Sequence, residues 1–315
     1  MTAISTGLRD GHSAHSRSPT RAITDSDFNS EFTSLCAVAS SVRASASVGI
    51  SSLAISAEDV ARDVLIKCGG LGHVPRSLTA QVDLCQQSLG RVASRRRLVP
   101  ERLLLARRAS SLQAAVLRQL DEGIAVTLHR GLHCLGMERP GGKHFGLYSD
   151  ALGAGTQSLL AAATISAFDL HHLVPRLLDP EMVANAVVLS RVVTLPGAPR
   201  NSVSRMLGAV FSWLRSHSPV ELLFSYNNPN LGFQGTIYKA TNWRLVGFEE
   251  KLEDLLLDGE YLSRREALAR FGTTSVALLY AMLGPRMRLL PQPKQPLEIY
   301  RYELYDKTSH ALGPQ

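Results

Sequence analysis

In the stretch Ser225-Tyr226-Asn227-Asn228, two hydroxyls stand next to two amides, and a third hydroxyl, Tyr238, follows within GTIYKATNW. A phenol ionises near pH 10, so it holds its proton at neutral pH and can give it to a departing anion. For Tyr238 two readings are open: a proton donor, or a helix residue with a satisfied hydroxyl. A serine nucleophile needs a base close by, and no histidine is tied to Ser225 in sequence. Ser225 and Tyr226 therefore read as groups that hydrogen-bond a substrate or leaving group, or as a strand-end cap. Asn227 and Asn228 can bind an amide or base edge, or close a turn.

The surrounding elements would place these groups at one end of a sheet. VELLFSY is a buried strand that ends at the hydroxyls, where α/β folds bind ligands. NAVVLSRVVTL is a second strand, and PGAPRNSVSRMLGAVFSWLRSH runs from a loop into a helix capped by Asn201 or Ser202. GFQGTIYKATNW holds a short helix and RLVGFEEKL a further strand. The order strand–helix–strand–helix–strand over 186–250 predicts an α/β (α+β) core. HFGLYSD and SLLAAATISAF read as a hairpin joined by ALGAGTQ, with Tyr148 on the first strand, and IAVTLHRGLHCLG begins as a strand-like run.

Upstream, Ser56 caps SAEDVARDVLIK, Gly69-Gly70 stops it, a helix follows near 77–90, and Pro100 opens another that runs on through QAAVLRQL. The expected organisation is a largely disordered segment 1–50, a basic helical region 51–122, a catalytic domain 123–305 and a tail 306–315.

Net charge is +7, and 6 of the 34 basic residues are Lys, so Arg dominates. Arg91, Arg95, Arg96, Arg97, Arg102, Arg107 and Arg108 crowd one short stretch against the single acid Glu101. Such a cluster neutralises nucleic-acid phosphates or forms a solvated helix face. Four scattered Cys without a C-x-x-C pair argue against a zinc knuckle and a disulfide framework, and His171-His172 lack a carboxylate at metal spacing. No metal is expected. With no long apolar run and no signal-like start, a cytoplasmic protein is expected.

GKHFGLYSD, LSRVVTLPGAPRNSVSRMLG, LLFSYNNPNLGFQGTIYKATNW and RFGTTS resemble the Mom-type DNA-modification proteins of phages and their bacterial relatives, within the GNAT acyltransferase superfamily. The resemblance covers about 125–305. It implies a GNAT-like mixed sheet with flanking helices, in which the fourth strand (186–195) leads into a long helix (200–217). The fifth strand (220–226) then splays away and a short helix (232–242) carries the Tyr. It also implies transfer of an acyl or aminoacyl group to an amine. Tyr238 would act as acid, Ser225 would bind the leaving group, and backbone N–H groups around Thr194 and Leu195 would hold an oxyanion. Two positions depart from the relatives' phrase "SYAD…GHxGTIYxATNW": Asn228 stands for its Asp and Phe233 for its His.

The loop that cradles coenzyme A in most GNAT enzymes is here PGAPRNSVSRMLG, with two Pro and one Gly before the helix. Acyl-CoA therefore fits poorly, although Arg200, Asn201 and Arg205 could anchor a donor phosphate. An aminoacyl-tRNA is the alternative donor. Two enzymatic readings follow from the resemblance: Mom-type modification of adenine in DNA, with the base flipped into the pocket, or aminoacyl-tRNA-dependent amide formation on a small molecule. A third reading is a non-catalytic nucleic-acid-binding protein.

Overall fold

The computed structural model describes residues 25–46, 53–104, 112–137, 139, 141–150, 157–168, 180–249, 255–262, 264–289 and 295–305. In chain order the helices are α1 (Asp25–Ala44), α2 (Ala57–Cys68), α3 (Leu78–Arg96), α4 (Glu101–Leu104), α5 (Glu122–Leu132), α6 (Pro180–Ala184), α7 (Ser202–His217), α8 (Thr236–Ala240), α9 (Arg264–Phe271) and α10 (Val276–Leu283). The strands are β1 (Val116–Gln119), β2 (Lys143–Asp150), β3 (Gln157–Ser166), β4 (Ala186–Thr194), β5 (Leu222–Asn227), β6 (Arg244–Glu249), β7 (Leu255–Leu257), β8 (Glu260–Leu262), β9 (Met287–Leu289) and β10 (Leu297–Glu303).

The main sheet has the order β1-β2-β3-β4-β5-β10-β6. Its neighbours are antiparallel except β4 and β5, which run parallel. The mixed sheet with flanking helices agrees with the sequence expectation, and the fourth strand, long helix, fifth strand and short Tyr-bearing helix follow one another as the GNAT resemblance implies. α7 lays Met206, Leu207, Val210, Phe211 and Leu214 into the core at helical spacing. Side chains alternate along β2, so Phe145 meets Trp213 of α7 edge-on while its neighbour His144 meets Thr164 and α5. The two faces are thus covered by different helices. A three-stranded sheet, β8-β7-β9, builds a small separate core with α9 and α10.

Several sequence expectations give way. The 1–50 segment contains α1, because Leu35, Ala39 and Val42 recur on one face and pack with α2 and α3. IAVTLHRGL is helical, not a strand: the Asp121 side chain accepts from Ile124 N–H and opens α5. The helix opened by Pro100 is described only as far as Leu104, and VLRQ is the edge strand β1 rather than helix. QPLEIYRYEL supplies β10 between β5 and β6. The capping box predicted at Ser56 is present, with Asp59 as its partner and Gly69 left-handed at the end.

Gly235 caps α8 at φ +65, and a Cβ there would run into the Tyr300 hydroxyl. Gly235→Ala should therefore lower unfolding free energy by about 2–3 kcal/mol in urea denaturation, from combined backbone strain and overpacking. Leu35→Ala should cost about 2–4 kcal/mol, as expected for a fully packed leucine.

Candidate active site

β4 and β5 pair only from Ala186–Leu222 to Val188–Phe224 and then part. Beyond that point β4 stays with β3, while Ser225, Tyr226 and Asn227 stay with β10. Ser225 stands at the fork. Its Oγ donates to the Leu189 carbonyl at 2.9 Å and lies 2.8 Å from the Tyr238 hydroxyl. A serine hydroxyl has one proton. With that proton on Leu189, the Tyr238 hydroxyl donates to Ser225, and a directed chain runs from Tyr238 through Ser225 to the backbone.

Both side chains are buried, Ser225 at 3% and Tyr238 at 6% exposure. Burial pushes the Tyr238 phenol above its ordinary pKa, although the bond to Ser225 opposes this. The phenol is therefore an acid at neutral pH and not a base. Its ring stacks on Tyr300 at 4.5 Å and meets Trp243 edge-on at 5.4 Å. Tyr300 is itself raised to about 12 by burial and by the neighbouring Glu298 carboxylate. Glu298 accepts from Tyr300 at 3.1 Å and from Asn227 at 2.8 Å. Asn227 also donates to the Phe233 carbonyl, so its amide clamps the loop to β10.

The other expected site residues divide. Asn228 closes the turn: its Oδ1 accepts from the Asn230 backbone at 3.2 Å and from the Asn230 amide at 2.9 Å. Asn230, not singled out in the sequence, exchanges two bonds with the Gln295 backbone and ties the loop to the start of β10. Tyr226 packs against the cluster of Ala186, Leu222, Phe224 and Ile299, among side chains that alternate with Ser225. Tyr148 packs in the main core, paired with Val116 and Leu159, three strands away from Ser225 in the sheet order.

Thr194 is paired with Ala161, and the Leu195 N–H donates to Leu160 at 2.9 Å. That N–H is engaged in the β3–β4 ladder. The irregularity in β4 lies elsewhere: Ile165 pairs with Leu189 and Thr164 with Arg191, so Ser190 is an extra residue at the fork. Arg200, Asn201 and Arg205 are exposed at the start of α7, with Asn201 left-handed and making no side-chain cap.

The arginine cluster is largely internal to the N-terminal layer. Arg91 bonds Asp63 at 2.9 and 2.6 Å, Arg95 bonds Asp63 at 3.1 Å, and Arg96, 4% exposed, bonds Asp59 at 2.7 Å. These three hold α3 against α2 and are not a free phosphate-binding row. Arg97 and Arg102 are exposed, whereas Arg107, Arg108, His171 and His172 lie outside the described residues. Among the described residues no group of three or more metal-binding side chains occurs.

A polar row lies on the α5 face of the sheet. His144, Thr164 and Arg191 are cross-strand neighbours on β2, β3 and β4. Thr164 Oγ1 bonds His144 Nδ1 at 2.9 Å and His129 Nε2 at 3.0 Å. His129 is held down to about 4, first by burial and then by Arg191 and His144. His133 is likewise pushed well below its ordinary value, chiefly by burial, and lies against Cys134. The available signal was Arg191 itself, a lone charge within the apolar run AVVLSRVVT.

The sequence pattern described as the Mom protein family matches residues 116–307. No curated protein matches the chain. Among solved structures, an N-acetyltransferase from Staphylococcus aureus Mu50 is 11% identical, with a TM-score of 0.34 over 61% of this chain and 99% of that one. A putative acetyltransferase from Salmonella typhimurium with acetyl-CoA is 9% identical, TM-score 0.36, over 64% and 98%. A Drosophila melanogaster polyamine N-acetyltransferase is 13% identical, TM-score 0.32, over 60% and 99%.

The neutral, buried histidines set an acid limit. An unfolded His takes a proton near pH 6.5, while folded His129 resists until about 4. The folded state therefore loses stability as pH falls from 6.5 toward 4. In melting curves across that window, His129→Gln should shift with a slope roughly half that of the wild type, since His133 titrates there too.

Proposed function

The chain belongs to the Mom protein family, and from that membership and the buried hydroxyl pair at the fork we propose that it is a GNAT-like N-acyltransferase. It moves an acyl- or aminoacyl-derived group onto an amine, with nucleic acid as partner. The observation on which the proposal rests is the chain of bonds from Tyr238 through Ser225 to the Leu189 carbonyl. An amine attacking an acyl carbonyl expels an anionic leaving atom, which needs a proton, and the amine nitrogen loses one. Tyr238 is a neutral buried phenol whose proton points into the fork. It supplies that proton, and Ser225, which accepts from the phenol while its own proton stays on the Leu189 carbonyl, fixes the position of the hydroxyl. The nitrogen's proton then restores the phenol. The bulge at Ser190 keeps β4 and β5 apart, so donor and acceptor meet between the strands.

The acceptor in this reading is the exocyclic amine of adenine in DNA. Exposed Arg97, Arg102, Arg200 and Arg205 and a net charge of +7 support a polyanionic partner. One observation favours aminoacyl-tRNA as donor. The turn before α7 contains Pro196 and Pro199, which offer no N–H to a pyrophosphate, and Asn201 provides no cap.

Incubating the full chain with duplex DNA, acyl-CoA or aminoacyl-tRNA, followed by nucleoside mass spectrometry, identifies donor and acceptor. Tyr238→Phe should lower product formation by about 10²- to 10⁴-fold with far-UV circular dichroism unchanged. Ser225→Ala should lower it less, because water can take the place of its hydroxyl. A Tyr238→Phe protein as active as wild type would remove Tyr238 from the reaction.

A further inference from the structure

The main sheet ends on one side in β6, whose outer edge has no strand beside it among the described residues. Edge strands are normally guarded against pairing with another chain by shortness, charge or proline. The opposite edge follows that pattern: β1 is the four residues VLRQ and ends in Arg118 and Gln119. The β6 edge does not. It runs for six residues, RLVGFE, without proline, and Leu245, Val246 and Phe248 stand 47%, 44% and 57% exposed. Three large apolar side chains in so short a strand are the composition of a contact surface rather than of a free edge.

An irregularity in the strand gathers these side chains. Gly247 pairs with Ile299 and Leu245 with Tyr300, so Val246 is an extra residue in β6. Without it, Leu245 and Phe248, three positions apart, would point to opposite faces. With it, both share the face of Tyr300 and Glu298, their cross-strand neighbours on β10. That is the face on which Tyr300 stacks against Tyr238. The other exposed apolar surface, Leu278 and Met282 on α10, belongs to a helix and offers no open backbone edge.

Such a strand is complementary to itself. A two-fold axis normal to a sheet sets two copies of one edge strand antiparallel and keeps the faces of the sheet. With that axis at Val246 and Gly247, Leu245 of each copy lies opposite Phe248 of the other, and both pairs fall on the same face. The ends of the strand carry opposite charges, Arg244 and Glu249, so antiparallel order sets unlike charges across the axis, where parallel order would set like beside like. We propose that β6 is the docking strand for a second copy of this chain, which pairs antiparallel with it and continues the seven-stranded sheet across both copies. The second copy covers Leu245 and Phe248, and with them the outer side of the Tyr300–Glu298 pair behind Tyr238. The proposal stands on β6 and does not depend on the transferase reading.

The test is the mass of the full-length protein in solution, by light scattering and sedimentation velocity at concentrations up to about 100 µM. The wild type should be a dimer in reversible equilibrium with monomer. Leu245→Lys and Phe248→Lys should each raise the dissociation constant at least about tenfold, since each sets two ammonium groups against apolar partners across the axis. Met282→Lys, on the exposed face of α10, should leave it unchanged. Amide exchange over 244–249 should slow as the wild type is concentrated. A wild type that stays monomeric overturns the proposal. So does a dimer that survives both β6 variants, or one that forms without slowing exchange in β6. Both substituted positions are exposed in the single chain, so circular dichroism of the variants should match the wild type. Should a variant fail to fold, the exchange measurement on the wild type still decides.

Discussion

The hydrogen bond from Ser225 to the Leu189 carbonyl is the constraint on which the site depends. Two parallel strands normally continue their backbone ladder until one ends. Here the ladder stops at Val188–Phe224, and the next contact across the gap is made by a side chain. That one bond consumes the serine proton and so fixes which way the Tyr238 proton points. It also limits the opening: the strands separate, but they remain joined at the base of the fork. Apolar side chains cannot join strands in this way, because an unpaired Leu189 carbonyl would be left buried.

The rest of the C-terminal half supports the tyrosine. β10 runs between β5 and β6 and presents Tyr300 to the ring of Tyr238. Gly235 has no side chain, so Tyr300 can reach that place. Trp243, which ends GTIYKATNW, closes the other side of the ring and packs on Phe211 of α7. The Tyr238 ring is therefore held between Tyr300 and Trp243, with its hydroxyl on Ser225. The position of an acid matters as much as its pKa in proton transfer, and here aromatic packing sets the position.

Much of this was legible in the sequence where the signal is local. The strand ending in SYNN, the helix carrying Tyr238 and the helix after Asn201 all depend on runs of neighbouring residues, and each lies where it was expected. Failures came where distant residues decide. IAVTLH is rich in β-preferring residues, but Asp121 caps it and the sheet needs a cover there. The arginines of α3 looked available for phosphates because Asp59 and Asp63 stand far upstream. Asn228 could be read as a substrate contact or a turn former, and its side-chain oxygen closes the turn by accepting from Asn230, a partner two residues on. Arg191 was passed over inside a strand whose periodicity is otherwise apolar.

The departures from the relatives' phrase belong together. Phe233 stands where that phrase has a histidine, and its ring packs on the N-terminal layer and beneath Arg62. Leu231 is buried in the same layer, Gly232 leaves room for Phe32, and Gln234 bonds Asn29 of α1. A polar histidine at 233 would weaken that apolar contact, whereas phenylalanine both fills it and receives the guanidinium on its face. Asn228 stands where the phrase has an aspartate, so the same loop carries one negative charge fewer near a fork that contains Arg191. Both departures fall on residues 225–235, the loop that packs on the N-terminal layer. The N-terminal helices and this loop therefore pack as one unit, joined by Phe233 and Leu231.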